Sequence, residues 1–463
     1  MEEKLFFYYT NDLHSHFENW PNIVGFFKEK IKRREQEKQS YWLLDNGDHV
    51  DRFHPITEAS MGKTNVQLLN AAGYDIATIG NNEGITLDYP DLYQLYDQAD
   101  FQVVCANLDS MIEANPTWLK PTHQFTSKSG IKIGVIGLTA PFNAFYHLLG
   151  WTVHPPLESL NQYIYELKEE TDIVILLSHL GIFEDEQIAQ YYPEIDVIIG
   201  GHTHHLIRDG ERIRNTLLTA AGKHGKFAGE VILTWDHAQR RLVNSEAYTT
   251  EVDVTPTDEQ TEHQLQEYYQ QSLSQLNQPV TYIDQPIKAN WFAETKMMKR
   301  LVATLKAWTT ADVAMLNAGL ILDGLPAGKV SYGDIHRICP HPINPCVVQL
   351  SGSELLEVIR ASYTKTFQEY KLKGFGFRGE VIGRMVYDGI DIDLTSNGLE
   401  EQVREVRIND EPIQPDKTYS VATADMFTFG KLLPEISRAT DKQFYMPEFL
   451  RDLLVSMFEN QKF

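Results

Sequence analysis

In the first half of the chain, apolar residues collect in short β-rich runs separated by stretches with helical spacing. The runs predict strands at Leu5–Tyr9, Trp42–Leu44, Ile76–Ile79, Gln102–Ala106, Ile133–Leu138, Ile173–Leu177, Val197–Ile199, Leu217–Ala220 and Glu230–Trp235. Helices are predicted near Ile23–Glu37, Asn65–Ala72, Leu92–Asp97, Leu157–Glu169 and Glu184–Tyr192. This alternation is the pattern of a layered α/β domain. It changes near Thr255. The segment TPTDEQTEHQLQEYYQQSLSQLNQP is polar, opens with helix-start residues and stops at Pro279, while Leu265, Tyr268, Tyr269 and Leu273 keep helical spacing. It predicts a linker helix, residues 255–281, between a first domain of residues 1–254 and a second of residues 282–463. The second domain has helical patterns at Lys296–Trp308 and Ser353–Tyr363 and several strands, without internal repeats or low-complexity tracts.

Composition narrows the function classes. The 463 residues are 42% apolar, enough to bury large cores, so a disordered chain is excluded. A formal net charge of −23 disfavours long nucleic acids, whose phosphates it repels. A small phosphorylated substrate remains compatible with that charge if the site supplies its own cations. Cys105, Cys339 and Cys346 are too sparse for a disulfide framework. The apolar patch near the N-terminus is too short for a signal peptide or a membrane span. The expectation is a soluble, cytoplasmic protein with no membrane partner; the sequence leaves the oligomeric state open.

The residues just past the apolar runs are more informative. LFFYYT is followed by Asn11, Asp12, Leu13 and His14, and WLLDNG by Asp48. IATIG is followed by Asn81, IVILLS by His179, and VIIGG by His202, Thr203 and His204. A lone Asp or His past a strand is ordinarily a cap or turn residue. Here each run ends in a potential metal ligand, and in open α/β sheets such strand ends converge on the site. Carboxylate, imidazole and amide oxygen suit Mn, Fe, Zn or a related divalent ion such as Co or Mg. The set exceeds the needs of one ion and is fully used by two ions sharing a carboxylate.

The segments TNDLHSH, DNGDHVD, GNNEG, LLSHLG and GGHTHH resemble the motif series of calcineurin-like metallophosphoesterases. NAGLI, VSYGDIHRICP, VVQLSGSELLEVI and YSVATADMF resemble the C-terminal domain of 5′-nucleotidases, a group that includes bacterial UDP-sugar hydrolases. The resemblance implies a four-layer αββα catalytic domain followed by a smaller α/β substrate-recognition domain. It implies that one ion takes Asp12, His14, Asp48 and His204, and a second takes Asp48, Asn81, His179 and His202, with Asp48 bridging. The reaction it implies is hydrolysis of a nucleotide, a nucleotide sugar or a related small phosphate compound. In such two-metal hydrolysis, ions roughly 3.5–4 Å apart activate a water and stabilise the attacking and leaving oxygens.

The chain departs from the family pattern in both domains. The third motif of the family reads Gly-Asn-His-Asp/Glu, its His contacting the scissile phosphate and, in 5′-nucleotidases, held by an Asp three residues on. Here those positions are Asn82 and Ile85. In the catalytic position, Asn82 is expected to offer a neutral hydrogen bond without charge; charge-assisted bonds are about twice as strong. This leaves two expectations. Either His49 or His54, just beyond Asp48, substitutes for the missing His, or the preferred leaving group is a phosphate anion that needs no help. In the second domain, Asn317 opens the NAGLILDG loop, where Leu322 replaces the family's phosphate-binding Arg. A nucleobase-sandwiching aromatic pair is expected from Phe375 or Phe377 in GFGFRGEVIG and from Phe427 or Phe429 in MFTFG, with Arg378 as a phosphate contact. Core packing is the plainer role for each Phe. The leading expectation is a metal-dependent phosphohydrolase. The alternatives are a binder of a phosphorylated ligand without turnover and a phosphodiesterase on the same scaffold.

Overall fold

The computed structural model describes residues 1–396 and 401–460. They form two compact units, Met1–Ser272 and Leu273–Phe463. The first unit is built on two sheets. A seven-stranded sheet runs in the order Arg241–Glu251, Phe227–Asp236, Glu2–Thr10, Ser40–Asp45, Ile76–Ala77, Gln102–Val104, Leu119–Lys120. A six-stranded sheet runs Leu206–Ile213, Thr216–Ala221, Val197–Gly200, Ile173–His179, Lys132–Thr139, Thr122–Thr126.

Alternation within single strands explains the layering. In the first strand, Leu5, Phe7 and Tyr9 share a core with Ile133, Val135, Ile175 and Leu177 of the other sheet. Tyr8 points the other way, against Phe26 and Phe27 of the helix Trp20–Gln36. On the outer face of the six-stranded sheet, Leu138, Val174 and Leu176 pack against Leu160 and Ile164 of helix Pro156–Glu170 and Ile188 of helix Ile182–Tyr191. Helix, sheet, sheet and helix thus form four layers.

Parallel pairing fixes where these strands end. Thr10 pairs with Asp45, and Asp45 with Ala77, so three neighbouring strands finish at one edge. Ser178 pairs with Gly200 in the second sheet. The expected strand Ile76–Ile79 shortens to Ile76–Ala77 because Thr78 turns its hydroxyl onto the Val104 carbonyl. The Gly-Asn-Asn turn opens a short helix, Asn81–Thr86, whose Asn82 N–H donates to Asp48 Oδ1. Arg241–Glu251 has no expected counterpart: only Ser245 and Ala247 are buried in it and it lacks an apolar run, and it is held by antiparallel pairing to Phe227–Asp236.

The polar segment after Thr255 forms a helix, Glu259–Gln275. The second unit has a five-stranded sheet ordered Met385–Asp388, Val313–Asn317, Thr418–Ala424, Pro345–Ser351, Lys442–Phe444. Helices Lys296–Thr309, Gly352–Ser362 and Leu450–Asn460 contribute to its core through Leu301, Leu355 and Leu454. Gly352–Ser362 starts at a capping box in which Ser351 and Glu354 satisfy each other's backbone N–H groups. No helix among the described residues is long and apolar enough to cross a membrane.

This unit holds a pH-sensitive acid. Burial pushes the Asp425 carboxyl from 3.8 up to about 8, against hydrogen bonds from the Asn344 and Met426 backbone. A raised folded-state value means that the protonated acid favours the fold. That contribution is complete below about pH 4 and is lost as pH rises through about 8. The expected result is a melting temperature that falls between about pH 5 and about pH 8 more steeply in wild type than in Asp425→Asn, read by calorimetry.

Candidate metal centre

The carboxyl ends of both sheets deliver the candidate ligands to one place. The loop after the first strand is laced to the loop after its neighbour: Asp12 N–H donates to Gly47 O (3.0 Å), His14 N–H to Asp48 O (2.7 Å) and Ser15 N–H to His49 O (3.0 Å). Asn46 joins the two sheets, its side-chain amide donating to Ser178 O at 2.9 Å. The backbone at the ligands is unusual. Asp12, His14, Asp48, His202 and His204 all lie in the left-handed region, with φ of 50°, 50°, 51°, 66° and 59°. Such conformations cost energy in non-glycine residues and concentrate at functional sites.

Two overlapping groups result. Asp12, His14 and His204 bring one ligand atom each within 4.8 Å of one another, as do Asp12, Asp48 and His179. His14 Nε2 and His204 Nε2 face each other at 3.1 Å, and Asp12 Oδ1 lies 3.4 Å from His204 Nε2. Asp48 Oδ2 stands 3.5 Å from His14 Nε2 and 3.3 Å from His179 Nε2, a position between the two groups. Asp12 also reaches both, with Oδ1 at 3.7 Å from His14 Nε2 and 3.9 Å from His179 Nε2. Asn81 Oδ1 faces His202 Nδ1 at 2.7 Å, and the His202 ring lies 5.6 Å from that of His179.

These residues fit divalent cations. His179 is fully buried; its Nδ1 donates to Asn46 O at 2.7 Å, so Nε2 carries the lone pair and has no hydrogen-bond partner. A buried ring held this way is set up as a ligand. The charge pattern agrees. Burial works to raise the Asp12 carboxyl, but His14, His179 and His204 outweigh it and hold it well below the usual range. Burial works to lower His14 and His179, yet the carboxylates of Asp12 and Asp48, joined at His14 by Asp51, lift them to about 9 and about 10. The pocket therefore concentrates negative charge that attracts protons, and a divalent cation binds there in competition with them.

Several residues support the ligands; Gly80 and Glu83 lie in the GNNEG motif and Asn11 and His16 in TNDLHSH, with roles the sequence did not assign. Glu83 is fully buried and accepts backbone N–H from Asp48 (3.0 Å), Val50 (2.9 Å) and Gly80 (3.0 Å), shaping the Asp48 loop. Burial, then the Asp48 charge, pushes it up to about 7. Gly80 must lack a side chain: a Cβ there would lie 2.1 Å from Asp48 Oδ1. Asn11 donates to Asp12 Oδ2 at 2.7 Å and to Gly222 O at 2.8 Å. His16 and His224 stack with centroids 3.7 Å apart, and the His224 ring lies 5.9 Å from that of His14.

The remaining candidates separate cleanly. His49 is buried against Trp20, with Nδ1 at 3.2 Å from the Asn65 amide, and burial drives it down to about 3. His54 caps the helix Pro55–Ser60, accepting from Ile56 N–H at 3.2 Å. Asn82 N–H donates to Asp48 Oδ1 at 2.7 Å, and its side-chain nitrogen lies 3.0 Å from His14 Nδ1 and 3.3 Å from Val50 O. In the second unit, Phe375 and Phe429 stack with centroids 5.7 Å apart and planes 9° from parallel. Phe375 is 47% exposed, whereas Phe377 and Phe427 are buried at 3% and 0%. Phe377 instead stacks on His341. Asn317 is fully buried and donates to Ile382 O at 2.8 Å. Arg378 donates backbone N–H to His341 Nδ1 at 2.9 Å and a guanidinium N–H to Phe377 O at 3.3 Å.

A two-sheet sandwich that gathers carboxylates, imidazoles and an amide at its strand ends is a scaffold for metal-dependent phosphoester hydrolysis. Comparison with known proteins agrees. The family model for calcineurin-like phosphoesterases matches residues 7–206, and that for the 5′-nucleotidase C-terminal domain matches residues 274–431. The chain is 44% identical over 457 residues to the uncharacterized metallophosphoesterase YunD of Bacillus subtilis, covering 98% of this chain and 99% of that protein. A 5′-nucleotidase of Vibrio cholerae is 23% identical, covering 78% of this chain and 76% of its own length. Among solved structures, the NAD nucleotidase of Haemophilus influenzae superimposes with a TM-score of 0.68 at 17% identity, covering 99% of this chain and 96% of its own. A 5′-nucleotidase precursor from Thermus thermophilus gives 0.61 at 19%, with the same coverage of 99% and 96%. At these identities the structural likeness is one of fold. The chain belongs to the calcineurin-like metallophosphoesterases that carry a 5′-nucleotidase C-terminal domain, and is a metal-dependent phosphoester hydrolase.

Proposed function

We propose that the protein hydrolyses a small nucleotide-type phosphate compound with two divalent ions. One is held by Asp12, His14, Asp48 and His204, the other by Asp48, Asn81, His179 and His202. The observation that carries this reading is the pair of overlapping ligand groups, with Asp48 Oδ2 between His14 Nε2 and His179 Nε2 at 3.5 and 3.3 Å. When bound, divalent ions supply activation of the attacking water and positive charge for the phosphoryl oxygens. The chain's own residues do the rest. Glu83 holds the Asp48 backbone, Gly80 leaves room for its carboxylate, the Asn46 carbonyl fixes the His179 tautomer, and Asn11 orients Asp12. Recognition of a flat base is assigned to Phe375 and Phe429, which stack on each other, a base taking the place of one ring against the other.

Bonds that release a phosphate anion are placed ahead of monoesters. Asn82 carries neither a transferable proton nor a positive charge for an alkoxide leaving group. A Mn²⁺-supplemented screen tests the reading. UDP-glucose and ADP-ribose are expected to turn over faster than AMP, and chelator is expected to stop all three. Phe375→Ala should raise KM for nucleotides about tenfold while leaving p-nitrophenyl phosphate unchanged, since a stacked base contributes about 1–3 kcal/mol. Ligand binding without hydrolysis of any phosphate compound would overturn the proposal in favour of a binding protein.

A further inference from the structure

Asn82 stands where the resembled enzymes place a phosphate-contacting His, yet its polar atoms are already engaged within the protein. Its N–H donates to Asp48 Oδ1 at 2.7 Å, and its carbonyl accepts from the Thr86 hydroxyl at 2.6 Å. The side-chain nitrogen lies 3.0 Å from His14 Nδ1 and 3.3 Å from Val50 O, and the side-chain oxygen accepts from Asn81 Nδ2 at 3.4 Å. The helix Asn81–Thr86 starts at the strand ends, so its second residue is delivered to His14 rather than left at a turn.

His14 needs such a partner. Its Nε2 faces His204 Nε2, Asp48 Oδ2 and Asp12 Oδ1 at 3.1, 3.5 and 3.7 Å. A ring that ligates through Nε2 carries its hydrogen on Nδ1, and an acceptor there fixes both the tautomer and the ring plane. Two groups meet Nδ1: Asp51 Oδ2 at 3.4 Å and the Asn82 amide at 3.0 Å. As placed, the amide turns its nitrogen to Nδ1; turned end over end it presents its oxygen and accepts from Nδ1–H, giving up its bond to Val50 O and the one from Asn81 Nδ2. We propose that Asn82 is a positioning residue for the metal ligand His14, acting with Asp51, and that it steers Asp48 at the same time through its backbone N–H. One residue thereby sets ligands on two neighbouring loops. The family's substrate-facing position has become a ligand-holding one in this chain.

The inference rests on the metal-centre reading, and the experiment separates the two. Mn²⁺ binding to the metal-stripped full-length protein is measured by titration calorimetry for wild type, Asn82→Ala, Asn82→Ser and Asn82→Asp. Wild type is expected to bind, and the Ala and Ser variants to bind about 10- to 100-fold more weakly, the usual cost of losing such an orienting contact. Asn82→Asp keeps an acceptor of the same shape and should bind at least as tightly as wild type. Raising Mn²⁺ should restore kcat in the Ala variant. Asn82→His, which restores the family residue, should weaken Mn²⁺ binding without raising kcat. Wild-type affinity in the Ala and Ser variants, with kcat lowered at every Mn²⁺ concentration, would overturn the proposal and return Asn82 to the substrate. No Mn²⁺ binding by wild type would instead overturn the metal-centre reading itself. A melting curve of each metal-free variant separates loss of affinity from loss of fold.

Discussion

Asn in place of Asp48 lowers hydrolysis by about 10³-fold or more while leaving the protein folded. Asp48 Oδ2 is the carboxylate oxygen nearer both His14 Nε2 and His179 Nε2, at 3.5 and 3.3 Å against 3.7 and 3.9 Å for Asp12 Oδ1, so its loss strikes both ligand groups. An amide there removes a negative charge and presents N–H donors or a weaker oxygen to a cation. The fold should tolerate the change because Oδ1 can still accept Asn82 N–H, the contact at 2.7 Å. The check is kcat/KM at saturating Mn²⁺ beside a thermal melt. Wild-type turnover in this variant would remove Asp48 from the mechanism.

Replacing Glu83 by Ala should cost both stability and activity. Its carboxylate receives the backbone N–H groups of Asp48, Val50 and Gly80 in a fully buried position. Each buried donor left without a partner costs about 1–3 kcal/mol. Three together amount to at least about 3 kcal/mol, a large part of the roughly 5–15 kcal/mol that holds a typical domain folded. The Asp48 loop loses its template as well, so activity should fall even where the protein remains folded. Denaturant unfolding followed in the first unit, with turnover measured below the transition, checks both effects. A variant with unchanged midpoint and unchanged kcat would show that the loop holds its shape without Glu83.

The candidate ligand series could be picked out because its members lie shortly past short β-rich runs, and parallel pairing such as Thr10 with Asp45 and Asp45 with Ala77 carries those run ends to one edge. The supporting residues were not legible. Glu83 fills the Asp/Glu place of the third motif, but its role as acceptor for three backbone donors shows only in the fold. Asn82 reads as a substrate contact at the catalytic position, because its partner His14 is remote in sequence and meets it only through folding. In GFGFRG, Phe375 and Phe377 share the same local pattern. Only the His341 ring, which takes Phe377 into the core, leaves Phe375 to stack with Phe429. The strand Arg241–Glu251 was missed because its identity comes from its neighbour's hydrogen bonds rather than its own apolar content.

The left-handed backbone at Asp12, His14, Asp48, His202 and His204 also limits which sequences can occupy the site. Left-handed conformation costs an L-residue roughly 1–2 kcal/mol, least for Gly, Asn and Asp and most where the side chain branches at Cβ. Changes to Val, Ile or Thr at these loops are penalised by the main chain before any ligation is lost. A lineage drifting away from metal dependence would therefore pass through asparagine or glycine at these positions. Among homologues of this chain, the evolutionary footprint of a lost metal site would be a small alphabet of amides and glycines.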